Sequence, residues 1–218
     1  MKDLAIYPGK AAPVRQAGLS MIELMVALAI LGVLIALAAP SMQSFMASQR
    51  LGAATNELMG QLALARTEAL RRGTRVTLCK RNGDTCTTSG NWSQGWLVFT
   101  DSHRPDSTAQ FSTSEQETLL MQQTAVTGQQ LVVVGLSGTV AHYVSFEPSG
   151  RAVQMNGDPI EESTLRVCST STALSDAKRA RDIVVLPSGR AMVRKDASGN
   201  PLKADGQALS INSACGVS

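Results

Sequence analysis

Three groups of residues in this 218-residue chain have the types and spacing to do chemistry. The first is a single carboxylate, Glu23, inside the apolar stretch GLSMIELMVALAILGVLIALAAP that runs from Gly18 to Pro40. A carboxylate in hydrocarbon costs roughly 2.5–3.5 kcal/mol at the centre of a membrane helix and less near its end, so it normally has a partner or a function. The second group is four cysteines, Cys79, Cys86, Cys168 and Cys215, which allow three disulfide pairings. Free buried thiols are the alternative, and the lack of a Cys-x-x-Cys spacing argues against a redox site. The third group is basic: Lys178, Arg179, Arg181, Arg190, Arg194 and Lys195 are opposed only by Asp182, a local balance of +5. Backbone phosphate of nucleic acid is the obvious anionic partner for such a run. No aromatic residue lies in it, which removes base stacking as a second source of affinity.

Other chemistry is disfavoured. There are two histidines, His103 and His142, and no Gly-x-Ser-x-Gly, His-Glu-x-x-His or Gly-x-x-x-x-Gly-Lys pattern, so neither an enzyme nor a metal centre is expected and no cofactor is implied. The formal net charge is +3, of which Lys2, Lys10 and Arg15 against Asp3 supply +2, so global charge says little about partners.

The elements that must position these groups follow from periodicity. Leu24 to Ala39 is sixteen residues without a charged or strongly polar side chain, and a start at Leu19 makes twenty-one. At ~1.5 Å per residue that helix spans about 30 Å, the thickness of a bilayer core. Its basic leader predicts an N-terminus in the cytoplasm and the bulk of the chain outside it. A cleaved secretory signal is the competing reading, with Ala36-Leu37-Ala38 as a small-x-small site. The length of the apolar run, Glu23 within it and Pro40 just past the cut oppose that reading. Pro40 is expected to bend the helix without ending it. Beyond it Leu51, Thr55, Leu58, Leu62, Ala65 and Ala69 recur at helical spacing, with Arg50, Glu57, Arg66, Arg71 and Arg72 off that stripe and Gly73 as the stop. Further on, short alternating runs predict strands at 75–80, 96–100, 118–127, 131–134, 140–146, 165–168, 182–186 and 191–195. The fold class is α+β: one long N-terminal helix packed on a largely antiparallel β head.

Two motifs carry a family resemblance. Gly18 followed by Leu19-Ser20-Met21-Ile22-Glu23-Leu24 and the apolar run resembles the class III signal of type IV pilins and type II secretion pseudopilins, with Leu19 and Ser20 in place of the commoner Phe and Thr. The resemblance implies that a prepilin peptidase cuts after Gly18 and methylates Leu19. It also implies that Glu23 pairs with the N-terminal amine of a neighbouring subunit in a filament, each charge relieving the other's burial. The chain would then divide into a cleaved cytoplasmic leader (1–18), a transmembrane half-helix (19–40), an amphipathic half-helix (41–73) and a periplasmic β-rich head (74–218).

The second motif, NWSQGWLVFTD at 91–101, resembles the Trp-x-x-Gly-Trp-x-Val-Phe-x-Asp signature of the GspH/FimT family of minor pilins and pseudopilins. Read from the residues alone, Trp92 and Trp96 are core and rim aromatics that fix a strand. An oxidising periplasm would preserve disulfides. Cys79–Cys86, closing the loop before this motif, and Cys168–Cys215, tying back the C-terminal tail, are the preferred pairs. PSGRA occurs at 148–152 and again at 187–191, each copy after an apolar strand, and both read first as hairpin turns. Some pilins of the FimT type bind DNA through a C-terminal Gly-Arg-x-Arg motif. Here Gly189-Arg190-Ala191-Met192 matches it in part, with Arg194 the next arginine. The leading reading is a structural subunit of a type IV pilus or secretion pseudopilus that helps to initiate or cap the filament. Its partners would be other pilin or pseudopilin subunits, the prepilin peptidase and the inner membrane. DNA, bound through Arg179, Arg181, Arg190, Arg194 and Lys195, is the partner in the alternative reading.

Overall fold

The computed structural model describes residues 20–102, 108–126, 130–136, 138–175 and 178–194. The chain divides into two compact units between residues 41 and 42.

One helix, α1 (Met21–Arg72), contributes to both units and contains Pro40. It begins where Ser20 accepts the first helical hydrogen bond, from the Leu24 N–H at 3.1 Å, so Ser20 occupies the N-cap position. In the first unit every large apolar side chain from Met21 to Leu37 is more than half exposed. In the second unit α1 buries one stripe, Ala47, Leu51, Ala54, Thr55, Leu58, Gln61, Leu62, Ala65 and Ala69, which recurs with the helical period. The helix ends at Gly73, whose φ of 65° lets its N–H turn back to the Ala69 carbonyl at 3.0 Å.

Ten short strands follow among the described residues: β1 (Arg75–Asn82), β2 (Thr85–Cys86), β3 (Trp96–Asp101), β4 (Leu119–Gln123), β5 (Leu131–Gly135), β6 (Tyr143–Phe146), β7 (Ala152–Val153), β8 (Ser163–Ser169), β9 (Ala180–Val185) and β10 (Ala191–Val193). They form two antiparallel sheets, one ordered β4-β3-β1-β6-β7 with β2 attached to β1, the other ordered β10-β9-β8-β5. The chain visits the second sheet at β5 and returns to the first for β6 and β7, so the two sheets are interleaved along the sequence. Their inner faces share one core with the helix stripe: Leu51, Leu58 and Leu62 join Val76, Leu78, Val98, Phe146, Leu165, Val167, Ile183 and Val185. Leu58 has no exposed surface, so truncating it is worth about 2–5 kcal/mol.

Several strand boundaries differ from the sequence expectation. β4 covers only part of 118–127, and Thr127 lies outside the described residues. Val140 is placed by a 3₁₀ turn (Gly138–Ala141) instead of by β6, because its carbonyl lies against the Cα of Gly135, where a Cβ would meet it at 2.0 Å. β10 stops at Val193, and Lys195 lies outside the described residues. The two-residue strands β2 and β7 are too short for any period to announce.

Candidate functional site

In the first unit the chemistry is an apolar helix surface with one carboxylate at its start. Glu23 is the third residue of α1 and is exposed. A helix N-terminus favours negative charge, so this is the position in the apolar segment where a carboxylate costs least. Gly18 and Leu19 lie outside the described residues.

In the head, the tryptophan motif is architectural. Trp92 and Trp96 are buried, edge to face, with ring centroids 6.4 Å apart. The Trp92 indole N–H donates to the Val140 carbonyl at 2.8 Å, and that of Trp96 donates to Gln61 Oε1 on the buried stripe of α1. Gln61 donates in turn to Gln123 Oε1 at 3.3 Å. Gly95, between the tryptophans, has φ of 97° and sits where a Cβ would lie 2.2 Å from the Gln123 carbonyl. The motif therefore ties α1, β3 and β4 together. Just before it, Cys79 on β1 is joined to Cys86 on β2, with Cα atoms 5.7 Å apart. Inside the loop that follows, the Lys80 ammonium is 2% exposed and donates to the Thr88 and Gly90 carbonyls at 3.0 and 2.8 Å. Burial lowers its pKa. His142 is pushed below its usual range by burial and then by Lys80.

The two PSGR copies are hairpin turns, between β6 and β7 and between β9 and β10, each closed by a glycine N–H donating back three residues at 2.8 Å, to Glu147 and to Leu186. The turns then dock on each other. Ala152 N–H donates to the Pro187 carbonyl at 3.1 Å, while Arg66 of α1 donates through Nε to the Gly150 carbonyl at 2.9 Å and through Nη2 to the Ser188 carbonyl at 3.1 Å. One guanidinium thus clamps both sheets to the helix. Arg66 reads in the sequence only as a cation off the apolar stripe, and no spacing reveals its partners.

The same hairpin sets Arg190 apart from Arg181 and Arg194. Arg190 is exposed in the turn. Arg194 is at the other end of β10, about 13 Å away at the usual strand rise, and pairs with Glu162. Arg179 donates to the Leu174 carbonyl at 2.7 Å, and Arg181 is half-buried on β9, where desolvation lowers its pKa. Across the β9–β10 register the Arg194 N–H donates to the Asp182 carbonyl at 2.8 Å, so Arg190 stands at the turn while Arg181 and Arg194 share the far end of the hairpin.

A cleft of about 930 Å³ opens at the C-terminal end of α1, lined by Arg71, Arg72, Asp101, Glu115, Glu117 and Glu147 among others. Its charges serve one another or the backbone: Glu68 binds Arg71 at 2.7 Å and Arg72 at 2.5 Å, which brings its carboxyl down to about 2, and Glu117 accepts the Ser112 N–H at 2.7 Å. No cluster of metal-ligating side chains occurs among the described residues.

An apolar helix of membrane-spanning length, continuing into a stripe that seats an antiparallel β head, defines a pilin-like subunit. Residues 54–189 match the family model described as type II transport protein GspH, and residues 14–39 match the prokaryotic N-terminal methylation motif. The chain belongs to the GspH family. Among solved structures it is similar to the type IV minor pilin FimU of Pseudomonas aeruginosa strain PAO1, at 17% identity and a TM-score of 0.48, covering 72% of this chain and 96% of that one. It is also similar to the minor pseudopilin EpsH from the type 2 secretion system of Vibrio cholerae, at 11% identity and a TM-score of 0.38, covering 66% and 96%. No relative is found among curated protein sequences.

Proposed function

We propose that this chain is a minor subunit of a type IV pilus or secretion pseudopilus that helps to initiate or cap the filament. In this reading prepilin peptidase cuts after Gly18 and methylates Leu19. Residues 19–40 hold the subunit in the inner membrane with its head in the periplasm until it is drawn into the filament. The observation that carries the reading is the surface of Met21–Leu37: a helix whose large apolar side chains are all more than half exposed, with Glu23 as its one charge, in a chain of the GspH family. Apolar area on that scale needs lipid or other helices around it. A carboxylate at its start gives those helices a register, because it is satisfied only where a neighbour supplies a cation.

The test is mass spectrometry of the membrane-bound protein together with filament assembly. A methylated start at Leu19 is expected, and a start at Ala39 would mean a secreted protein instead. Glu23→Ala should enter the membrane as well as the parent does yet fail to join filaments. Deleting the gene should reduce filament number, with the subunit scarce in purified filaments. Binding of duplex DNA is the second reading, and the exposed Arg190 and Lys178 are what favour it. It requires salt-sensitive binding at ~50 mM salt that weakens in Arg190→Ala and not in Arg151→Ala.

A further inference from the structure

A strand at the end of a sheet turns a row of backbone N–H and C=O groups away from its own sheet, and proteins guard such edges with charge, brevity or a cover. The two sheets of the described residues end in four edge strands, and three are guarded. β10 has three residues, bracketed by Arg190 and Arg194. β7 has two, and its Ala152 N–H and C=O are taken by Pro187 and Ile160. On β5 the Val133 N–H donates to the Ser93 hydroxyl at 2.8 Å. The fourth edge, β4, is five residues long, and residues 118–126, Thr-Leu-Leu-Met-Gln-Gln-Thr-Ala-Val, carry no charge.

The register shows which β4 groups face out. Arg81 N–H donates to the Gly95 carbonyl and Thr100 N–H to the Thr118 carbonyl, so odd-numbered residues of β3 turn to β1 and even-numbered ones to β4. Trp96 and Val98 lie opposite Gln123 and Met121, whose backbone therefore turns inward to β3. The N–H and C=O of Leu120 and Gln122 are left directed away from the sheet. Among the described residues no strand pairs with them. The side chains beside them are apolar on both faces. A register shift sets Met121 opposite Val98, which belongs to the shared core, and Leu119 opposite Phe99, which belongs to the second cluster. Opposed residues share a face, so Leu119 and Met121 stand on opposite faces, 39% and 37% exposed.

We infer that β4 is a docking edge that takes an extended, uncharged segment of a different pilin-type subunit as its next strand, about 4.8 Å away. A row of outward backbone groups at strand spacing is met in full by another extended backbone. That segment is apolar on both faces, because it covers Leu119 on one and Met121 on the other. A charged segment would lose hydration there with no opposite charge in residues 118–126 to meet it. The choice of a different subunit rests on the proposed function, since a subunit that starts or caps a filament has few copies of itself beside it.

The experiment places a photo-reactive residue at Leu119 of the full-length chain in cells that assemble filaments. Mass spectrometry should show a crosslink to an uncharged, extended segment of another pilin or pseudopilin subunit. The same residue at Met192, on a guarded edge, should give no crosslink to that segment. Met121→Lys should reduce filament number several-fold without moving the melting temperature of the subunit, while Met192→Lys, at the same 37% exposure, should leave filaments intact. A crosslink within the chain, to a second copy or to a helix, no crosslink at all, or equal effects of the two lysines would each overturn the proposal. The crosslink is read without either lysine, so a variant that fails to fold does not remove the test. Glu23→Ala reads the subunit role separately, so normal filaments with Met121→Lys would overturn the docking edge and leave that role standing.

Discussion

Replacing Gly189 with alanine tests the docking of the two PSGR turns most directly. Gly189 has φ of 76°, a region that costs an ordinary L-residue about 1–2 kcal/mol. Its missing Cβ would lie 1.9 Å from the Gly150 carbonyl oxygen, a backbone atom that cannot swing aside. The β9–β10 turn must therefore retreat by more than 1 Å, and the retreat breaks contacts beyond the collision itself. It separates Ala152 N–H from the Pro187 carbonyl and draws one of the two Arg66 acceptors out of reach. A lost bond that leaves a buried group unsatisfied costs about 1–3 kcal/mol, so with the strain the total is about 2–5 kcal/mol. Gly157 supplies the control: its φ is 89° and nothing lies within 4 Å of its virtual Cβ, so Gly157→Ala carries the backbone strain alone. Thermal and urea unfolding of a soluble head beginning at Met42 would measure both variants. At about 2–4 °C per kcal/mol for a head of this size, Gly189→Ala should melt roughly 10 °C below the parent and Gly157→Ala only about 4 °C below it. Equal losses would refute the claim that docking of the turns, and not turn geometry alone, requires glycine at 189.

Three further outcomes are expected. Trp96→Phe should destabilise the head by about 1–3 kcal/mol in urea unfolding, since the buried Gln61 carbonyl loses its donor, and adding Gln61→Leu should recover part of that loss. His142 is held below its ordinary value of 6.5 by burial and by Lys80, so the unfolded chain takes up its proton first as pH falls. Stability should therefore be full above about pH 6.5 and decline below it, a slope that melting curves of His142→Asn should lack. Glu68, held at about 2 by Arg71 and Arg72, should remain ionised in an NMR titration well below pH 4, and Arg71→Ala with Arg72→Ala should return its carboxyl toward 4.5.

What could be read without the structure is whatever repeats at short range. The apolar run, the stripe from Leu51 to Ala69 and the stop at Gly73 follow from the helix period and from the conformational freedom of glycine. The PSGR turns are local in the same sense, and a sequence separation of 7 between Cys79 and Cys86 leaves those two sulfurs little room to miss each other. Glu23 stands out because its cost in hydrocarbon depends only on the residues beside it. Tertiary structure alone decided the rest. Arg66 finds acceptors 84 and 122 residues away, and the two turns that meet belong to different sheets. Arg194 is twelve positions from Asp182 in the sequence but bonds to its carbonyl in the fold, while Arg190, four positions away, is left at the turn, because an antiparallel pair brings its outer ends together and its connection to the opposite end. The outer face of β8 and β9 is dry although Arg166, Cys168 and Asp182 alternate with the core positions like any solvent-facing row. Spacing along one strand records which side a residue faces, whereas what that side meets is decided by the fold.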